Sequence, residues 1–170
     1  MKLKISAGQY SDKGRKESNQ DFHGLYVPNE PQLSSKGIAI ALADGISSSQ
    51  VSRVAAQSAV TGFLEDYYCT SEAWSGRTSA ERVRVATNSW LHSQTQQSQH
   101  RYDKDRGYGC TFSGMIIKST TAHLFHVGDT RIYQLRDQQL TQLTEDHRVW
   151  ISSTQSHLVR ALGIDRKLDI

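Results

Sequence analysis

Short apolar segments alternate with polar ones along the chain, and their period predicts the first elements of structure. Apolar and polar residues alternate over Lys2–Gln9, and β-forming residues are concentrated at Phe22–Val27, which predicts two strands. The continuous apolar run Gly37–Ala43 is typical of a strand that is covered on both faces. This run ends abruptly at Asp44, whose carboxylate needs a partner if it is buried.

After Gln50 the spacing of apolar residues becomes helical. The small residues that recur every three or four positions predict a helix that packs closely on a sheet; they are Val51, Val54, Ala55, Ser58, Ala59 and Gly62. A second helix is predicted to begin at Thr78, which has the capping-box spacing to Glu81. Its buried face would hold Val83, Ala86, Trp90 and Gln94. The polar stretches VPNEPQLSSKG and SQTQQSQHRYDKDRG are predicted loops.

Four further segments are short and rich in β-forming residues: Tyr108–Ile117, Ala122–Val127, Arg131–Leu135 and Leu140–Leu143. Lys118-Ser119-Thr120 and Arg136-Asp137-Gln138 separate them as hairpin turns. The order of strands, two helices and then a β-meander favours an α+β fold with an antiparallel sheet or sandwich over a doubly wound parallel sheet. No repeat or boundary divides the sequence, so residues 1–170 are predicted to form one domain.

Composition excludes several classes of function. The net charge of +3 is spread through the 170 residues without a basic block, which argues against a nucleic-acid or membrane surface. Cys69 and Cys110 match no zinc spacing, and two cysteines in a chain of this size favour the reducing cytoplasm. No apolar run is long enough to cross a bilayer, and the first residues lack the apolar centre of a signal peptide.

Three aspartates occupy the ends of predicted strands. Asp21 precedes a strand, Asp44 ends one, and Asp129 lies in the turn of HVGDTR. Each aspartate taken alone is more simply interpreted as a turn or helix-cap residue. Together, carboxylates from separate strand ends are the ligands that Mg²⁺ or Mn²⁺ requires.

The aspartates belong to an ordered series of five motifs: RKESNQD (15–21), ADG (43–45), VGDTR (127–131), LTEDH (143–147) and RALG (160–163). This series resembles the metal-dependent serine/threonine protein phosphatases of type 2C, particularly the bacterial-type members. The resemblance covers nearly the whole chain. It implies an antiparallel β-sandwich flanked by helices, with two Mg²⁺ or Mn²⁺ ions at one end and a water that attacks phosphorus in line.

The resemblance also implies roles for individual residues. Asp44 would bridge two metal ions, with the Gly45 carbonyl as a further ligand, and Asp21 would act beside it on the water that the metals activate. Asp129 matches the ligand of a third, weaker ion. Asn19 and Gln20 would support these ligands without binding the metal ions themselves.

The match departs from the family in several places. Lys16, with Arg15 before it, stands where the family has a phosphate-binding arginine, and lysine lacks the bidentate fork. Gln20 replaces a glutamate, and Ile46 replaces a histidine that is a general acid in some members. The family's later Asp-Gly and Asp-Asn motifs are not reached by Ile170. We therefore expect a C-terminally truncated member with weak or no activity by itself.

Two functions are compatible with this pattern. The first is a phosphatase that acts on phosphoserine and phosphothreonine in a protein substrate, opposed by a cognate or fused protein kinase. The second is a catalytically impaired regulatory or binding module of the same fold.

Overall fold

The computed structural model describes residues 4–168. Its strands are β1 (Asp21–Tyr26), β2 (Ile38–Asp44), β3 (Phe112–Lys118), β4 (Thr121–Val127), β5 (Tyr133–Arg136), β6 (Gln139–Gln142), β7 (Arg148–Trp150) and β8 (Ser156–Leu158). Its helices are α1 (Gln32–Lys36), α2 (Ser52–Cys69) and α3 (Gly76–Gln97), followed by a 3₁₀ turn at Lys104–Arg106. None of the helices in this range combines the length and the apolar character that crossing a membrane demands.

The first four strands form an antiparallel sheet in the order β1-β2-β3-β4. Its register places Asp21 opposite Asp44 and Leu42 opposite Ser113. Because successive side chains of a strand point to opposite faces, this register assigns Asp21, Asp44 and Leu42 to the same face. Alanines 39, 41 and 43 of β2 point to the other face and are buried.

The alanine face of the sheet packs against α2. Ala55, Ala56 and Ala59 of the helix are completely buried there, and small side chains on both surfaces allow helix and sheet to approach closely. Phe63 fills the centre of this layer, with its ring 5.1 Å from that of Phe112 and 6.3 Å from that of Phe125. The core therefore lies between the sheet and the helices.

The opposite face of the sheet is more open. Leu42 is 41% exposed, although it lies on a central strand. The rest of the β structure in residues 4–168 consists of two hairpins, β5-β6 and β7-β8, and neither packs extensively on the four-stranded sheet. Leu135 and Leu140 in the first hairpin are 71% and 65% exposed. Within the described range, the fold therefore has one four-stranded sheet, covered by helices on one face, and no complete second sheet on the other.

Both predicted hairpin turns are confirmed. Ser119 joins β3 to β4, and Asp137 and Gln138 join β5 to β6, all with positive φ. Paired residues with positive φ match the twist of a tight hairpin. The strands themselves begin one to four residues away from their predicted starts, as at Phe112, where a strand was predicted from Tyr108.

Three other predictions for local structure are wrong. Residues 4–9 form no strand, because no described strand pairs with them; Lys2 and Leu3 lie outside the described residues. The proline-containing loop includes α1, which Lys36 fixes by donating a hydrogen bond to Thr70 Oγ1 over 2.8 Å. The polar stretch after Ser93 continues α3 to Gln97, because buried Thr95 accepts a hydrogen bond from the Tyr108 N–H over 2.8 Å.

The helix faces also differ from the prediction. Helix α3 is capped by Ser75, whose side chain accepts a hydrogen bond from the Thr78 N–H, so it begins two residues before Thr78. Trp90 is 46% exposed and Val54 of α2 is 50% exposed. On the buried side α3 presents a mixture of apolar and polar residues, namely Ser79, Ala80, Val83, Arg84, Asn88, Leu91 and Thr95.

Candidate active site

The end of β2 and the beginning of β1 bring two carboxylates together. Asp44 is the last residue of β2, and its register partner Asp21 is the first residue of β1. Burial, reinforced by hydrogen bonding to Asp21 and repulsion from it, raises the pKa of Asp44 to about 7, while nearby Lys16 acts in the opposite direction. Near neutral pH the Asp44 carboxyl is therefore expected to be present in both its protonated and its ionised form.

The main chain around Asp44 is held on both sides. The Asp44 N–H donates to Thr111 Oγ1 over 3.0 Å, and the Thr111 N–H donates to the Asp44 carbonyl over 2.8 Å. The Gly45 N–H donates to the Gln20 carbonyl over 3.1 Å. A Cβ on Gly45 would lie 2.8 Å from the Ser52 carbonyl, so only glycine allows the chain to pass this close to α2. The side chain forms fewer hydrogen bonds, because Asp44 Oδ1 is buried and has no hydrogen-bond partner among the described residues.

Asp44 and Asp129 line the same cleft, which has a volume of about 220 Å³. The cleft is lined by Lys16, Asp44, Gly45, Ile46, Ser47, Thr111, Asp129, Arg148 and Leu158. Asp129 is ion-paired with Arg148, and Arg148 Nε also donates to Ser156 Oγ over 2.9 Å. The cleft thus contains two carboxylates and two cationic side chains.

The two predicted phosphate-binding residues have different positions. Lys16 lines the cleft, close enough to Asp44 to influence its pKa. Arg15 is exposed and is not part of the cleft lining. Lys16 is therefore better placed than Arg15 to bind an anion in the cleft.

Asn19 and Gln20 support the main chain around the carboxylates. Gln20 Nε2 donates to the Ser49 carbonyl over 3.0 Å and to Ser52 Oγ over 2.9 Å, which ties the start of β1 to the start of α2. Asn19 Oδ1 accepts a hydrogen bond from the Asp21 N–H over 3.0 Å. Both side chains therefore position the strand that carries Asp21.

Sequence reasoning missed Thr111 and Arg148. Thr111 could have been found, because the start of β3 must lie beside the end of β2 once the two strands are antiparallel. Nothing in the sequence distinguishes Arg148, which follows the LTEDH motif and reaches Asp129 only because β7 lies beside the turn after β4.

The carboxylates fit a cation site in part. Asp44 Oδ1 is an orphaned buried oxygen beside a second carboxylate, which is the environment that a hard cation would relieve. Asp129 is instead neutralised by Arg148. Among residues 4–168 no group of three or more His, Cys, Asp or Glu side chains is arranged to hold a metal ion. The described residues therefore provide an incomplete set of donors.

Comparison with known families decides the classification. A family model described as protein phosphatase 2C matches residues 9–161. The chain belongs to the protein phosphatase 2C family. The resemblance inferred from the five motifs is confirmed, and the chain is assigned to a family of enzymes that hydrolyse phosphoproteins.

Individual members of the phosphatase 2C family agree with this assignment. The serine/threonine phosphatase stp of Listeria welshimeri is 26% identical over 184 residues, which cover 94% of this chain and 68% of the relative. Serine/threonine phosphatase Stp1 from Staphylococcus aureus has a solved structure that matches with a TM-score of 0.73 at 16% identity, over 94% of this chain and 66% of that one.

A third relative was solved with metal ions. The catalytic domain of the phosphatase PstP, in complex with two manganese ions, matches with a TM-score of 0.58 and 26% identity, over 78% of this chain and 51% of that chain. The predicted α+β antiparallel fold of the phosphatase 2C family is confirmed by these structures. The chain spans between about half and two thirds of the length of the proteins it matches.

Proposed function

We propose that this chain supplies one side of the active site of a divalent-cation-dependent phosphatase that acts on phosphoserine and phosphothreonine in proteins. The observation that carries the proposal is the buried, unpartnered Oδ1 of Asp44, which lies beside Asp21 at a cleft that also contains Lys16. An oxygen in this setting is costly unless a cation or a proton meets it.

Mg²⁺ or Mn²⁺ is the cation that these donors suit, and the PstP relative was solved with two manganese ions. Asp44 and Asp21 would hold the cations with the Gly45 carbonyl, and Asp129 would add a ligand for a third ion. When bound, the cations supply water activation and neutralise charge on the phosphoryl group. We expect the 170-residue chain to be a poor phosphatase, because residues 4–168 contain no group of three or more His, Cys, Asp or Glu side chains that could hold a metal ion.

The other residues of the cleft have roles that do not depend on a cation. Lys16 would attract the phosphoryl group of the substrate by its charge, although it offers no bidentate fork. Ile46 lines the cleft and carries no proton to donate, so the leaving group would receive its proton from solvent. Thr111 and Gln20 would keep the two strand ends in register.

The test uses the full-length protein with Mn²⁺ and a phosphothreonine peptide. Asp44→Asn should lower kcat/KM by about 100-fold or more, because the residue loses the charge that holds the cation. Asp66→Asn is a matched control, since Asp66 is exposed on α2 and lies outside the cleft. Turnover by Asp44→Asn equal to that of the control would remove Asp44 from the mechanism.

A second function is favoured by one specific observation, the absence of a three-ligand group among residues 4–168. In this second function, the protein would be a regulatory or binding module that retains the fold and has lost catalysis. Calorimetry of the full-length protein with Mn²⁺ separates the two functions. Micromolar binding that Asp44→Asn weakens at least about tenfold supports the enzyme, whereas no binding supports the module.

The setting of the proposed enzyme follows from its chemistry. Its substrate would be a phosphorylated protein, and a cognate or fused protein kinase would generate that substrate. The two unpaired cysteines are compatible with the reducing cytoplasm, which we propose as its location.

A further inference from the structure

A buried arginine, Arg84, has a side-chain nitrogen without a hydrogen-bond partner among residues 4–168 and lies outside the Asp44 cleft. Arg84 lies on the sheet-facing side of α3 and is only 3% exposed, yet its Nε has no hydrogen-bond acceptor. No carboxylate among residues 4–168 forms an ion pair with it. An isolated buried charge costs several kcal/mol, and native proteins normally pair it.

A second buried polar residue on the same face of α3, Asn88, does have hydrogen-bond partners. Asn88, one turn further along α3, is also buried. Its Nδ2 donates to the Asp165 carbonyl over 2.9 Å, and its Oδ1 accepts from the Gly163 N–H over 2.8 Å. Arg84 therefore stands out against its own surroundings, because the chain that satisfies Asn88 provides no acceptor for the guanidinium.

Arg84 opens into a cleft of about 390 Å³ between α3 and β4. Arg77 and Glu81 lie on the α3 side, and residues 122–126, which include His123, form the β4 side. Glu81 is the only carboxylate in the lining, and it is bonded to Arg77 Nε at 2.8 Å. The Arg84 charge is therefore compensated only in part, by the field of Glu81, which raises the pKa of Arg84 against the larger effect of burial.

The other wall of the cleft is the outer edge of the sheet. Strand β4 is the last in the order β1-β2-β3-β4, so one side of its main chain is unpaired within the described range. A free strand edge can bind an extended peptide through main-chain hydrogen bonds. An acidic side chain on such a peptide would come close to Arg84.

From these observations, we propose that the cleft between α3 and β4 binds an oxyanion, a carboxylate or a phosphate group, on the Arg84 guanidinium. The planar fork of arginine suits both groups, and His123 offers a further polar contact. The cleft shares no lining residue with the Asp44 cleft, so the proposal for this site does not depend on the proposed phosphatase activity.

The first test is NMR titration of the 170-residue chain with inorganic phosphate at constant ionic strength. We expect the Arg84 Nε–Hε and His123 ring resonances to shift with a Kd of roughly 1 mM, and the His123 shift to disappear in Arg84→Met. These two resonances report on this cleft even if phosphate also binds near Lys16. Resonances that stay fixed at all phosphate concentrations would overturn the proposal.

A second experiment distinguishes a carboxylate on a peptide from a free anion as the group that binds Arg84. The probe is an acetylated, amidated hexapeptide of alternating threonine and glutamate, with the glutamine version as its matched control. Binding at least about tenfold tighter than phosphate, and lost in the glutamine version, supports a carboxylate on an extended segment. Weaker binding of the peptide than of phosphate supports a free anion. If neither probe binds, the site does not exist.

Thermal unfolding provides a readout that a purely structural arginine would not give. In phosphate-free buffer Arg84→Met should raise Tm by about 3 °C, since it removes an unpaired buried charge and keeps the apolar stem. Phosphate should then raise the Tm of the wild type and not that of the variant. Arg82→Met is the control on the exposed side of the same helix and should give no gain. A fall in the Tm of Arg84→Met, with no phosphate effect on the wild type, would contradict the proposal.

Discussion

Asp44 is half-buried and Arg84 is buried, and each has a buried side-chain atom without a hydrogen-bond partner among residues 4–168. They differ in what surrounds them. Asp44 lies among Asp21, Lys16 and Asp129, and its pKa of about 7 lets a proton discharge it near neutral pH. Burial lowers the pKa of Arg84, but a guanidinium keeps its proton at physiological pH.

This difference determines how each site can exist without its ligand. Asp44 can become a neutral acid, so the cation site tolerates being empty at a modest cost. Arg84 has no such alternative and destabilises the chain whenever its cleft lacks an anion. Variants of Asp44 and Arg84 therefore test two points. The first is whether the charge of Asp44 lowers the free energy of unfolding, and the second is whether this loss is independent of the loss caused by Arg84.

The largest effect on stability should come from Asp44→Asn in protein freed of divalent cations. The unfolded carboxyl titrates near 3.8 and the folded one near 7, so between these values the folded chain holds a proton that the unfolded chain has lost. Wild-type stability should therefore fall as pH rises from about 4 to 7 and stay low above it. Asparagine carries no charge, so the variant should gain roughly 2 kcal/mol at pH 8 and almost nothing at pH 4.

Urea unfolding of both proteins at the two pH values measures this gain. An equal gain at both pH values would mean that the carboxylate is not destabilised by its charge. Saturating Mn²⁺ should reverse the order of stability at pH 8 if the protein binds the ion through Asp44, because a ligand stabilises only the state that binds it.

Asp129→Asn should have a smaller effect, in the opposite direction. Asp129 is paired with Arg148, and the two side chains are 21% and 34% exposed, so the pair is screened by solvent. Its loss should lower the free energy of unfolding by roughly 0.5 to 1 kcal/mol, and by less in 1 M salt. Urea unfolding at low and high salt measures the change. Stabilisation by this variant would show that Asp129 acts with Asp44 and Asp21 as a repulsive cluster.

Much of the Asp44 site was predictable from sequence, because local patterns define it. The apolar run that ends at Asp44 and the order of strands together require Asp21 and Asp44 to meet at one end of an antiparallel sheet. The hairpin turns were predictable for the same reason. The assignment of Asp129 to the same cleft came from the motif series.

The Arg84 site was not predictable, because it depends on the rotation of a helix about its axis. The apolar pattern of α3 favoured Ala86 and Trp90 as buried residues, whereas the structure buries Arg84 and Asn88. Asn88 is buried because a distant segment near Asp165 satisfies it, and such tertiary contacts leave no periodic signal. The pairing of Arg148 with Asp129 was hidden for the same reason.

The smallest effect should be the coupling between the two sites. Asp44 lies at the sheet end where Asp129 follows β4, and the Arg84 cleft is lined by residues 122–126 of β4, roughly 10 to 23 Å along the strand from Asp129. In cation-free protein at pH 8, the effects of Asp44→Asn and Arg84→Met on the free energy of unfolding should add within about 0.5 kcal/mol. A double-mutant cycle by urea unfolding measures the coupling. A coupling well above 1 kcal/mol, with the double variant more stable than the sum of the two single effects predicts, would mean that the two charges attract each other across the sheet and that neither is truly unpaired.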